Sequence, residues 1–336
     1  MTDAFRLTLG GLVANGWQSV RRRLADGFSN RQPDRAALGA PSMTIRLDAP
    51  NRSGDPEYYV AKRRRLATVT AVCFLDEHHL VASHLVGQRL FLVAFDFEAR
   101  CYTIEDEIPT TFRGKPTITD LLDLDGRGRI ATSNLHAFAG SLYQVRDGRL
   151  AHERDLPIRD GDEGNCHGIH FMPPGDVICA TCTRNGRYVY FLSPATGEIL
   201  YRFNDGAWMA KDAAFIDRER LLVVASDGGP TRASRSKYQS KATLIRVDLA
   251  ARRHETISEL VMPSCHVDGC VYADGRLYFT DGVADCVRVC RVTGDTISLE
   301  RSLPDYDFPH GIDVLPSAGL MAVTNYGTSD IVITRT

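Results

Sequence analysis

The feature that most limits what this chain can become is a phrase it repeats. One stretch reads Pro309-His310-Gly311-Ile312-Asp313-Val314, a turn at 316–319, Leu320-Met321-Ala322-Val323-Thr324-Asn325, a second turn at 326–329, then Asp330-Ile331-Val332-Ile333-Thr334. Short apolar runs between turn residues read as antiparallel strands. The phrase returns around Phe74, Leu124, Phe171, Phe215, Tyr272 and Val314, large apolar anchors 42–57 positions apart. A turn follows each anchor, then a strand ending in small and polar residues: His84, Asn134, Cys182, Asp227, Asp281 and Asn325 close these strands. A third apolar strand and a fourth, more polar one complete most copies, as in Thr296-Ile297-Ser298-Leu299-Glu300.

A period near 45 residues with four strands per unit is that of a propeller blade. Six copies predict an all-β, six-bladed β-propeller of four-stranded antiparallel blades spanning 43–336. The sixth copy has three strands only. Met43-Thr44-Ile45-Arg46-Leu47-Asp48 is patterned like an outer strand, so an N-terminal strand is expected to close the last blade and cover its edge. Two stacked β-domains, or a seventh blade within 43–66, are the alternative architectures.

Residues 1–42 read differently. Phe5, Leu9, Leu12, Val13, Trp17, Val20, Leu24 and Phe28 recur at steps of three and four, the pattern of an amphipathic helix, and a linker follows. Arg21-Arg22-Arg23 gives that helix a possible contact with a membrane surface or a protein partner. The chain carries a net charge of -2, which offers no global basic field for nucleic acid. The N-terminus does not fit a secretory signal, and the nine cysteines sit mostly inside strands. Reduced thiols and a cytoplasmic location are the expectation.

Candidate chemistry lies four residues before each anchor, where the innermost strands begin. Those positions are Thr70, Asp120, His167, Lys211, Asp268 and His310, a ring at one mouth of the central channel. Glycine follows three of them, at Gly168, Gly269 and Gly311, which lets a backbone or a ligand approach closely. His84, Asn134, Asp227, His266, Asp281 and Asn325 fall on the same face and are candidate substrate contacts, although Asp281 and Asn325 also suit turn amides. Arg232 and Arg235 belong to a long loop, 228–241, that would cover the mouth and suit an anionic small molecule. Asp123 and Asp313 are expected to hydrogen-bond between blades, and His170 to cap backbone groups.

The strand entries Cys166-His167-Gly168-Ile169, His266-Val267-Asp268-Gly269 and Pro309-His310-Gly311-Ile312-Asp313 resemble those of the senescence marker protein/gluconolactonase family. More loosely, the chain is similar to strictosidine-synthase-like propellers. The first resemblance implies a divalent metal at His167, Asp268 and His310 that activates water against a lactone. The pattern departs from that family where two of its asparagine-type positions are histidines and where Thr70 stands in the first blade. Imidazole beside carboxylate favours zinc, iron or manganese over calcium. Lys211 or Asp120 would then act as base or support the ligands. The expected function is metal-assisted hydrolysis or acid–base chemistry on a lactone-like carbonyl compound. The alternatives are a non-catalytic propeller that binds a ligand or protein partner, and metal-free cyclase- or isomerase-type chemistry with His167 or His310 as base.

Overall fold

The computed structural model describes residues 42–49, 69–135, 139–158, 165–183, 188–204, 206, 208–227, 239–326 and 328–336. Six four-stranded sheets account for nearly all of them, each antiparallel and ordered from inner to outer strand. The inner strands are Val69–Phe74, Thr119–Leu124, Cys166–Met172, Met209–Phe215, Val267–Ala273 and Pro309–Leu315. Each packs against the next, and the last packs against the first, so the sheets close into a ring. The expected helix over 1–28 and the linker after it lie outside the described residues apart from Ser42, and Arg232 and Arg235 lie outside them as well. Among the described residues no helix is long and apolar enough to cross a membrane.

Closure follows the sequence pattern. Ser42–Arg46 pairs with Asp330–Arg335 as the outer strand of blade six, with Met43 opposite Ile333 and Ile45 opposite Ile331. Met43 and Ile45 are buried while Thr44 and Arg46 are exposed, the period-two alternation of a strand with one wet face.

The core is divided among the junctions between blades. Six principal hydrophobic clusters each join two neighbouring blades, for example Leu90 and Leu92 of blade one with Ile130 and Tyr143 of blade two. Both faces of an inner strand are therefore covered. That is why Val69–Phe74 is buried at every position and is apolar but for Thr70. Outer strands such as Cys101–Pro109 meet solvent and are polar.

The innermost strands share one irregularity. In all six, the pairing with the second strand slips near its beginning, leaving out Thr70, Asp120–Leu121, His167–Gly168, Lys211, Asp268–Gly269 and Gly311 with His310. A bulge of this kind turns a side chain out of the sheet's normal alternation. The ring positions are thus the bulged residues of their strands.

Hydroxyls pin these bulges and join the blades. Thr181 Oγ1 accepts the Gly168 N–H and donates to the Lys211 carbonyl of the next blade. Thr280 does the same between Gly269 and His310, and Thr324 between Gly311 and Thr70. The close approach explains the glycines. A Cβ on Gly269 would lie 2.5 Å from the His310 carbonyl oxygen, and one on Gly311 2.5 Å from that of Thr70. It is the neighbouring backbone, rather than a ligand, that these two glycines admit.

Candidate functional site

Five of the six ring positions bring ionisable side chains together at the channel mouth, and all but Lys211 are nearly buried. Asp120 stands between the two imidazoles: Oδ1 is 3.3 Å from His310 Nε2 and Oδ2 is 3.4 Å from His167 Nε2. The His167 and His310 rings lie 5.7 Å apart between centroids. Asp268 Oδ1 is 3.5 Å from His167 Nε2, 3.4 Å from His266 Nε2 and 3.3 Å from Lys211 Nζ. Thr70, the uncharged member, is taken up by structure: its hydroxyl bonds Ser83 Oγ and the Thr119 carbonyl.

The protonation of His310 is fixed by geometry. Its Nδ1 lies 2.9 Å from the Thr70 carbonyl oxygen, which can only accept, so Nδ1 carries the hydrogen. Burial lowers the pKa of this imidazole, and the nearby Asp120 and Asp268 charges do not reverse the shift. A neutral ring with hydrogen on Nδ1 presents a lone pair at Nε2, aimed at a carboxylate oxygen. Two acceptors facing each other repel unless a proton or a cation lies between them. His167 differs: its Nδ1 is buried and has no hydrogen-bond partner among the described residues.

The donor set fits a divalent transition metal. Asp120, His167 and His310 each offer one ligand atom, all within 4.8 Å of one another. In a tetrahedral site with bonds near 2.1 Å, donors stand about 3.4 Å apart; each imidazole meets Asp120 at about that distance, but at a different oxygen, Oδ1 for His310 and Oδ2 for His167. A ligating imidazole that donates its other N–H to a backbone carbonyl, as His310 does, has its lone pair oriented for the ion. The third group is Asp120, which the sequence marked as base or support, while Asp268 sits beside Lys211 and His266. Burial pushes the Asp268 carboxyl up, but the charges of His266 and Lys211 and the hydrogen bonds from His167 and His266 outweigh it and hold the group well below the usual carboxylate range.

Most other candidates are engaged in turns. Asp281 accepts from the His266, Val283 and Ala284 amides and pairs with Arg288. Asn325 donates to Asp330 and accepts from the Asp307 amide, and Asn134 donates to Ser141. His84 Nδ1 accepts the Gly87 N–H, and burial lowers its pKa to about 4. Asp227 is exposed at the edge of the described residues. Cys166 and Cys265 lie near the ring, but burial pushes both thiols up, away from the nucleophilic thiolate.

A second polar layer lies further along the same strands, with Asp123, His170 and Asp313 three residues beyond their ring positions and Asp212 directly after Lys211. Asp123 Oδ2 accepts the Phe171 N–H at 2.7 Å, and Asp313 Oδ2 accepts the Phe74 N–H at 2.7 Å, the expected bonds between blades. His170 does not cap backbone. Its Nε2 donates to Asp212 Oδ1 at 2.6 Å, while Asp212 Oδ2 accepts the Cys270 N–H at 2.8 Å. Burial lowers the His170 pKa, but Asp212 and Asp123 raise it further, to about 10. The sequence reading did not single out Asp212. The sequence alone hid it: aligning the strand ends puts Ser226 beside Thr280, and only the register places Val224 opposite Asp212, where the other blades carry Ser83, Ser133, Thr181, Thr280 or Thr324. Blade four lacks that bridging hydroxyl and uses a carboxylate instead.

No family model matches the chain, and no curated protein matches it. Solved structures do. A chain of the Mitotic Checkpoint Complex is similar with a TM-score of 0.54 at 13% identity, over 80% of this chain and 75% of that one. Kuenenia stuttgartiensis hydrazine synthase is similar with a TM-score of 0.53 at 11% identity, over 80% and 94%. The WD40 β-propeller domain of Doa1 is similar with a TM-score of 0.53 at 12% identity, over 82% and 95%. Likeness at such identities is likeness of fold alone. Neither the fold nor these neighbours tie the chain to the gluconolactonase family that its strand entries resemble; what they establish is a β-propeller.

Proposed function

We propose that this propeller holds a divalent transition metal at its channel mouth through Asp120, His167 and His310, and uses it to hydrolyse a small carbonyl compound. The observation that carries the reading is His310, whose Nδ1–H is committed to the Thr70 carbonyl while its Nε2 lone pair faces Asp120 at 3.3 Å. Bound there, zinc, iron or manganese would supply a Lewis acid that polarises a carbonyl and makes water more acidic. Three protein ligands leave positions open for substrate and water. Asp268 orients His167 and Lys211 at the edge of that space. Ligation through Nε2 would leave the His167 hydrogen on Nδ1, which has no partner among the described residues.

The test is elemental analysis of tag-free protein purified without chelator. About one transition metal per chain is expected from the coordination argument, and loss of it in Asp120→Asn and His310→Ala. Metal-loaded protein should then open lactones or esters, with the same variants inactive. Protein that takes up no zinc, iron or manganese would end this reading. A second reading, a propeller that binds a protein partner, has its support in the neighbour from the Mitotic Checkpoint Complex and gains if the ring variants change neither metal content nor hydrolysis.

A further inference from the structure

The polar groups at the mouth fall into two halves. Asp120, His167 and His310 lie deepest, with side chains 4–6% exposed. Lys211 and His266 are the most open, at 12% and 11%. On this open side three nitrogens converge on the single oxygen Asp268 Oδ1, at 3.3–3.5 Å. An ammonium has three N–H donors. Among the described residues, that of Lys211 makes one hydrogen bond, a long one, to Asp268. Donors left unfilled on a largely buried cation are costly. Charge leads to the same place. Two carboxylates, one ammonium and one divalent ion leave a surplus of one positive charge. A site this buried favours neutrality, and an incoming anion would supply it.

We infer that Lys211 and His266 form an anion subsite, and that the molecule handled here is a small oxygen-rich acid whose carboxylate docks on that side. Its reacting oxygen function then faces Asp120, His167 and His310. This rests on the metal reading above for the position of the second half of the molecule and for the surplus positive charge; the unfilled donors of Lys211 are the part of the argument that stands without the ion. The chemistry recognised is an oxyanion with room for two donors, which a carboxylate or a phosphate could supply.

The experiment is calorimetric titration of the full chain, metal-loaded and metal-free, with glycolate, with its uncharged counterpart glycolamide, and with inorganic phosphate. Glycolate should bind at least about tenfold more tightly than glycolamide, the scale of one charge-assisted hydrogen bond. Lys211→Met should remove that preference and leave metal content unchanged; Lys211→Arg should keep part of it. His266→Gln should weaken glycolate by a smaller factor, and it serves as the working variant if Lys211→Met does not fold. Tighter binding of phosphate than of glycolate would overturn the assignment to a carboxylate. Equal affinities for glycolate and glycolamide, or glycolate binding untouched in both variants, would overturn the subsite. If no metal is taken up but the metal-free chain still prefers glycolate through Lys211, the metal reading falls and the subsite stands.

Discussion

The channel carries two polar layers on the same strands, built from the same residue types with opposite outcomes. In the inner layer every bond named is short: His170 to Asp212 at 2.6 Å, and backbone amides to Asp212, Asp123 and Asp313 at 2.7–2.8 Å. At the mouth, the imidazoles, carboxylates and ammonium stand 3.3–3.5 Å apart, and one imidazole nitrogen has no partner among the described residues. Buried polar groups in a purely structural role find their partners. The inner layer meets that condition and clasps blades two to five to one another and blade six to blade one. The mouth does not, and a site whose charges are held near one another but not closed on one another is suited to receiving something.

Substitutions should separate the layers. The largest effect is expected from His170→Ala, which leaves Asp212 buried without its cation and should cost about 3–5 kcal/mol in urea unfolding. A loss below about 1 kcal/mol would show that the inner layer is no clasp. Gly269→Ala forces a methyl against the His310 carbonyl, and a loss of about 1–3 kcal/mol is expected by the same measurement. An unchanged midpoint would mean that the blades give way there.

The inner layer should also make stability depend on pH. Burial raises the Asp313 carboxyl from 3.8 to about 7 against its two amide bonds, with the Asp123 charge adding to the rise. Between those values the folded chain keeps a proton that the unfolded chain has released, so this contribution falls as pH rises from about 4 to 7. The slope is at most about 1.4 kcal/mol per pH unit. His170, raised from 6.5 to about 10, contributes stability that is complete below 6.5 and is lost as pH rises toward 10. Asp313→Asn should flatten the lower window and leave the upper one; a titration that keeps its acid-side slope in that variant would assign it elsewhere. The smallest effect on folding is expected at the mouth. Asp120→Asn should change stability by about 1 kcal/mol while abolishing metal uptake, and a large destabilisation would make the mouth a structural layer like the one beneath.

How much of this was legible follows from the physics of each signal. The blades were legible because each inner strand carries one large apolar anchor, Phe74 and its counterparts, at a regular period. Closure was legible because Met43 and Ile45 alternate with Thr44 and Arg46. The ring was legible by counting back from the anchors. The bulges that turn the ring inward were not, since a bulge is an event between two strands; the following glycines hinted at it in three blades. That Asp120, rather than Asp268, bridges the two imidazoles depends on which ring members face each other across the channel, and no spacing along the chain encodes that. Asp212 escaped because it follows Lys211, the residue that the count selected.

The strand that completes blade six has a consequence for how the molecule is made. Ser42 pairs with Thr334, so the ring is fastened by segments almost a whole chain apart. At typical synthesis rates the first of them waits on the order of 15–60 seconds for the second. Contacts of such long range form slowly. Until then the early blades exist as an open arc whose terminal sheet edges are unpaired, and it is in that interval that the growing chain is most exposed to a chaperone or to another copy of itself.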